Sequence, residues 1–198
     1  GEPSEIRRAP EELSKIIFDQ LPKNGRYEFG AVDPGKDSLF ETLRQLIHGQ
    51  SKASSVREED LKPQRQAIRK LIVSATLDRF YSKENVERFQ SIWAELMPLK
   101  DGKQIMLHEW AERMMQDTTH GDVFALDTFA YFFKLNVRLY SPVSPSKPIM
   151  LPYRPEGGEY GKRNCILVAH LPWESDGQHF APIWPSVSLT PQLSEVRG

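Results

Sequence analysis

Asp33-Pro34-Gly35-Lys36-Asp37-Ser38-Leu39-Phe40-Glu41-Thr42-Leu43-Arg44-Gln45-Leu46-Ile47 is a turn that runs into an amphipathic helix. Pro34 and Gly35 are turn residues, Asp37 is a favoured N-cap type, and Leu39, Leu43, Leu46 and Ile47 recur at helical spacing. Ser38 then falls in the first helical turn, where backbone N–H groups without intrahelical partners and the positive end of the dipole favour a developing negative charge. A hydrolase holds its nucleophile in such a place. A serine near a helix start is more often a plain capping residue, so this reading needs a base elsewhere in the chain.

Upstream, Leu13, Ile16, Ile17 and Leu21 share one helical face and predict an N-terminal helix over 10–21, and Tyr27, Phe29 and Val32 predict a short extended segment leading into the turn. Downstream, residues 52–60 read as a polar loop. Helices are expected over 65–81 with Pro63 in the first turn, over 85–97, over 107–115 and over 123–135. The pattern then changes. Residues 137–140 alternate as a strand does, 166–169 is a continuous apolar run, and 180–184 is a third strand whose Pro182 points to an edge or a bulge. Residues 141–163 read as a Pro- and Gly-rich loop. The order of one helix, a turn carrying a nucleophile, further helices and then strands predicts an α+β domain with a small sheet.

Composition narrows the function classes. The 198 residues suffice for one domain with its own core. Lys plus Arg (26) nearly balances Asp plus Glu (27), so the chain as a whole lacks the basic footprint of a nucleic-acid binder. No apolar run reaches the length of a membrane span, which is about 18 residues or more. A single cysteine, Cys165, excludes an internal disulfide and a cysteine-based zinc cage, and points to a reducing, cytoplasmic setting. No two of His48, His108, His120, His170 and His179 have the i, i+4 spacing of a helical metal site, so neither metal nor cofactor is expected. Gly1-Glu2-Pro3-Ser4-Glu5 has no signal-peptide character, and Gly1 reads as a residue left by processing of a recombinant product.

Among nucleophiles Cys165 is the first to test, because a thiolate is more available at neutral pH than an alkoxide, but it opens an apolar run and reads as a buried packing residue. Among bases His179 stands apart: Asp176-Gly177-Gln178 is a turn that delivers it to the start of an apolar strand. Arg65, Arg69 and Lys70 read as a solvated helix face. The four tryptophans read as packing residues, and His120-Gly121-Asp122 as a helix break with a new N-cap.

Asp37-Ser38-Leu39-Phe40-Glu41-Thr42-Leu43, His120-Gly121-Asp122-Val123-Phe124-Ala125-Leu126-Asp127-Thr128-Phe129-Ala130, Val137-Arg138-Leu139-Tyr140 and Gly177-Gln178-His179-Phe180 together resemble, in order and spacing, an OTU (ovarian tumour) domain over residues 27–184. The resemblance implies a papain-like OTU fold with a small central sheet flanked by helices. It divides the chain into an N-terminal helical extension (1–26), a catalytic domain (27–185) and a C-terminal tail (186–198). It implies a deubiquitinase, hydrolysing the bond after the C-terminal glycine of ubiquitin or polyubiquitin, with Ser38 on the position of the catalytic cysteine and His179 on that of the general base. Backbone N–H groups of the turn with Gly35, Lys36 and Asp37 would form the oxyanion hole. The residue two after the histidine, often Asn or Asp in the family, is Ala181, so Asp33 is the candidate third member, followed by Asp37 and Asp176.

Serine at position 38 departs from the family. A cysteine nucleophile works as a preformed thiolate, whereas serine must lose its proton during attack, so the chain as written is expected to be nearly inactive. Three readings stay open: an engineered replacement of a native cysteine, which the intact surroundings of Ser38 favour; a natural ubiquitin-binding module without turnover; and a true serine hydrolase. The expected form is a monomer in cytoplasm, or in host-cell cytosol for an effector or viral protein.

Overall fold

The computed structural model describes residues 10–23, 25–33, 35–49, 57–82, 86–97, 102–142, 147–155, 165–171 and 179–186. The elements are α1 (Pro10–Gln20), β1 (Tyr27–Phe29), α2 (Ser38–His48), α3 (Glu58–Tyr81), α4 (Val86–Leu96), α5 (Leu107–Met114), α6 (Val123–Phe133), β2 (Asn136–Tyr140), β3 (Ile149–Leu151), β4 (Cys165–Leu171) and β5 (His179–Pro185). The chain is an α+β protein. Among the described residues the strands form one five-stranded mixed sheet in the order β1-β5-β4-β2-β3, with β2 and β4 parallel and the other pairs antiparallel.

The period-2 alternation of the strands divides two cores. Val137, Leu139, Val168 and Phe180 face the main core, where α2 to α6 contribute Leu39, Phe40, Leu43, Ile72, Phe89, Trp110 and Phe124. Phe124 anchors an edge-to-face aromatic cluster with Trp93, Trp110 and Phe89, ring centroids 4.7, 5.4 and 5.6 Å away. Tyr140, Ala169, Leu171, Ala181 and Ile183 face the other way and are covered by Ile17 and Leu21, at and just after the end of α1.

Several expectations are corrected. The helix expected from residue 65 begins at Glu58, because Glu58, Glu59 and Asp60 suit the positive end of the dipole; Pro63 therefore lies inside the helix, not in its first turn. The 141–163 stretch was expected to be a loop, yet it contains β3, a three-residue edge strand too short to show a period and set between Pro148 and Pro152. Pro182 lies neither on an edge strand nor at a bulge, since β5 pairs on both sides. β1 ends at Phe29, opposite Ile183, so the missing N–H of Pro182 meets no ladder partner, while its carbonyl accepts from the Gly30 N–H at 2.7 Å. A Cβ on Gly30 would come within 2.5 Å of the Pro182 ring and 2.8 Å of Trp184 Nε1, so only glycine allows this approach. Cys165 is exposed, not buried: it is the first residue of β4, at the solvent-exposed end of the β2–β4 ladder opposite Asn136. Of the loop expected over 100–103, residues 100 and 101 lie outside the described residues, as do Trp173 and the 176–178 turn.

Far from Ser38, Arg79 of α3 donates to the fully buried Asp127 of α6 at 3.0 Å, and Asp127 also accepts from the Tyr153 N–H at 2.6 Å. Burial pushes the Asp127 carboxyl upward, and the Arg79 charge and the Tyr153 N–H work against that rise.

Candidate functional site

The predicted turn and helix start are present. Ser38 opens α2, its N–H meets the Gly35 carbonyl at 3.4 Å, and the Glu41 N–H meets the Asp37 carbonyl at 2.8 Å. Ser38 is 3% exposed. Its hydroxyl oxygen accepts from the Phe180 N–H at 3.1 Å, and one turn on, the Thr42 hydroxyl donates to the Phe180 carbonyl at 3.1 Å. The even-numbered residues of β5 direct their backbone polar groups toward β1, but β1 stops before it reaches Phe180. The hydroxyls of α2 thus continue the ladder where the strand gives out, and satisfy a peptide that would otherwise be buried without partners.

This joint brings position 38 to the start of β5, one residue from His179. His179 pairs with Leu171 across the β4–β5 ladder and is itself 3% exposed. In the period of the strand it shares a face with Ala181 and Ile183. Cys165 lies at the opposite end of β4 from Leu171, six residues or roughly 20 Å along the strand, and belongs to another part of the molecule.

A cleft of about 300 Å³ opens beside the turn. Asp33, Gly35, Lys36, Asp37 and Ser38 all line it, together with Glu41 of α2 and Glu58, Leu61 and Arg65 of α3. His179 is not among its lining residues. Asp33 stands exposed. Asp176 lies outside the described residues.

The charges of this cleft are paired across α2 and α3. Asp37 occupies the N-cap position of α2 but makes no side-chain cap bond. Its carboxylate is taken instead by Arg69, 2.8 Å away, with Arg65 at 3.9 Å. Arg65 also pairs with Glu41 at 3.3 Å and with Glu58. Burial works against the charge of Glu41, but hydrogen bonds from Arg44, Gln45 and Arg65 and the Arg44 charge outweigh it and hold its carboxyl below the usual range. The solvated helix face expected for Arg65 and Arg69 is therefore wrong. Arg69 is 0% exposed, and only Lys70 stays in solvent. A signal was present in the sequence: carboxylates at 37 and 41 and guanidiniums at 65 and 69 both have i, i+4 spacing, which puts two complementary pairs on facing helix surfaces.

The His120-Gly121-Asp122 segment also reaches this region. The Asp122 side chain caps α6, accepting from the Ala125 N–H and from Trp110 Nε1, both at 2.8 Å. Burial nonetheless raises the Asp122 carboxyl, against those bonds. A Cβ on Gly121 would stand 2.5 Å from the side chain of Leu39, so glycine is what lets this loop pack against the residue following Ser38.

A search of solved structures finds an OTU domain, that of OTUD1, matching with a TM-score of 0.56 over 92% of this chain and 99% of that one at 13% identity. The chain has an OTU-like fold. The Hazara virus OTU bound to ubiquitin matches at a TM-score of 0.47 and 11% identity, covering 82% of this chain and 83% of that one. An OTU deubiquitinase from Wolbachia pipientis wMel bound to ubiquitin matches at 0.47 and 14% identity, covering 83% of this chain and 98% of that one. No family model matches the sequence, and no curated protein matches it. At these identities the OTU likeness is one of architecture, and function has to be argued from the site. Among the described residues, no group of His, Cys, Asp and Glu side chains is arranged to hold a metal ion, and no helix is long and apolar enough to cross a membrane.

Proposed function

We propose that this OTU-like chain is a ubiquitin hydrolase of the thiol type whose turnover is blocked by serine at position 38. One observation carries the reading: the helix start bearing Ser38 is bonded to the strand start bearing His179, beside a cleft lined by the Gly35–Ser38 turn. A thiolate at position 38 would attack the carbonyl of the C-terminal glycine of ubiquitin. His179 would pair with that thiolate and then protonate the leaving amine, and turn N–H groups would receive the oxyanion, each worth roughly 3 kcal/mol of transition-state stabilisation. Asp33, at the edge of the cleft, is our candidate to orient the imidazole. Ubiquitin is taken from the OTU likeness, and no cofactor enters the scheme.

With serine the same site must deprotonate a hydroxyl of far higher pKa during attack, which a site matched to sulfur does poorly. The test is Ser38→Cys. The variant should label with an electrophilic ubiquitin C-terminal probe and cleave di-ubiquitin, and adding His179→Ala should abolish both. A Ser38→Cys protein that folds but neither labels nor cleaves refutes the hydrolase.

A second reading, a ubiquitin-binding module without turnover, is favoured by the bond between Ser38 and the Phe180 N–H and by the near-complete burial of both Ser38 and His179. It predicts saturable ubiquitin binding, measured by calorimetry, that is equal in the serine and cysteine forms with no cleavage by either.

A further inference from the structure

We propose that Arg69 is a positioning residue for the site at position 38: from α3 it neutralises and holds the Asp37 carboxylate, so that the start of α2 stays receptive to an anion. The proposal deepens the thiol-hydrolase reading and rests on it for its purpose, though not for its test. An aspartate at an N-cap ordinarily turns its carboxylate onto the N–H groups of the first turn. Asp37 does not, because Arg69 Nη2 takes its Oδ1 at 2.8 Å. The same nitrogen lies 3.5 Å from the Lys36 carbonyl, and Nη1 donates to the Met114 carbonyl at the end of α5 at 2.8 Å. The guanidinium also stacks 4.1 Å over the Phe40 ring. Four attachments from the turn, α2 and α5 fix a fully buried cation whose neutralising partner is the residue immediately before position 38.

The consequence is electrostatic. Without Arg69, Asp37 keeps only the more distant Arg65, 3.9 Å away, and sets a largely uncompensated negative charge against any thiolate or oxyanion at the helix start, which disfavours both. Among the described residues, the other charged or titratable groups around the site are Asp33 and Lys36 in the turn, Glu41 and Arg44 on α2, Glu58 and Arg65 on α3, His179 on β5, and His120 and Asp122 in the loop packed on Leu39. Arg44 and Arg65 are already engaged by Glu41 and Glu58, so neither replaces Arg69 in full.

The test uses the full chain carrying Ser38→Cys with Cys165→Ser, because the exposed Cys165 would otherwise consume reagent. The pH–rate profile of iodoacetamide alkylation reads the thiol introduced at position 38 directly, without ubiquitin. Adding Arg69→Met should raise the apparent thiol pKa by about one unit and slow alkylation at pH 7 about tenfold. Adding Asp37→Asn to that variant should restore the profile. Should the buried Arg69 variant fail to fold, Asp37→Asn alone decides: it leaves the Arg69 charge uncompensated, and must lower the thiol pKa and speed alkylation several-fold. Profiles that do not move in these directions overturn the proposal, as does a thiol at position 38 that never reacts. Labelling by the ubiquitin probe runs in parallel, so a chain that alkylates as expected but ignores ubiquitin refutes the hydrolase and leaves the role of Arg69 standing.

Discussion

Thr42→Val tests the joint on which the candidate site is built. The change is nearly isosteric, removes one hydroxyl, and leaves the Phe180 carbonyl without its donor in a position that is 0% exposed. An orphaned buried carbonyl costs about 1–3 kcal/mol, while the added methyl returns part of that through apolar burial, so a net loss of about 1–2 kcal/mol is expected. For a chain of this length each kcal/mol lowers the melting temperature by about 2–4 °C, which places the fall at about 2–8 °C. Ser38→Ala removes the acceptor of the Phe180 N–H and should cost a similar amount. Both hydroxyls hold the same residue of β5, so the double variant should deviate from additivity by at least about 0.5 kcal/mol. Urea unfolding of the parent, the two single variants and the double variant gives all four values. A Thr42→Val protein within about 0.3 kcal/mol of the parent, or strictly additive losses, would show that α2 does not complete the β5 ladder and would remove the reason for placing Ser38 beside His179.

Two further outcomes follow from buried charges. Asp127→Ala strands Arg79, which is also buried, and takes the acceptor from the Tyr153 N–H; it should cost about 3–5 kcal/mol in urea unfolding and leave alkylation of a cysteine at position 38 unchanged in whatever fraction folds. Glu41 has its carboxyl held below the ordinary value, so its contribution is complete above pH 4.5 and is lost as pH falls through the lower folded value. The stability gap between parent and Glu41→Gln should accordingly be widest near neutral pH and close below about pH 4, as read from urea midpoints across pH. Asp122 and Asp127, raised by burial, work in the opposite direction, which is why the difference between the two proteins is the informative quantity.

The helices were legible because their apolar residues recur strongly, and α1, α2, α4, α5 and α6 begin within a residue or two of where that recurrence places them. The start of α3 was not legible because residues 58–64 are mostly polar and contain Pro63, which reads as a loop and a first turn; within the helix, Arg65, Arg69 and Arg79 sit at inward positions, which a reading that assigns arginine to solvent misses. The facing carboxylates Asp37, Glu41 and Asp127 help make those positions habitable, and that pairing joins residues 24 to 48 positions apart. β3 was missed for a different reason, since three residues cannot display an alternation. Cys165 was misplaced because an apolar run says that a strand is buried along most of its length but not which end emerges. At the site, Ser38 and the Gly35–Asp37 turn were legible from local turn and helix chemistry. The hydroxyl joint to Phe180 was not, because whether a strand's edge is covered by a neighbouring strand or by a helix start is settled only by where β1 stops.

That joint sets two demands on position 38 that one side chain meets unequally. As the acceptor of the Phe180 N–H, the residue needs a compact oxygen at about 3 Å, which serine supplies and cysteine does not, since sulfur is larger and a weak acceptor. As the nucleophile of a thiol hydrolase, it needs an anion at neutral pH, which cysteine supplies and serine does not. Ser38→Cys should therefore exchange stability for reactivity: a lower urea midpoint than the parent, by an amount approaching that of Ser38→Ala, together with the gain of probe labelling. The two losses share a cause, the broken bond to Phe180, so they should match closely. If Ser38→Cys is instead as stable as the parent, sulfur fits the joint without cost, and the serine is no better suited to the structure than the thiol that the hydrolase reading requires.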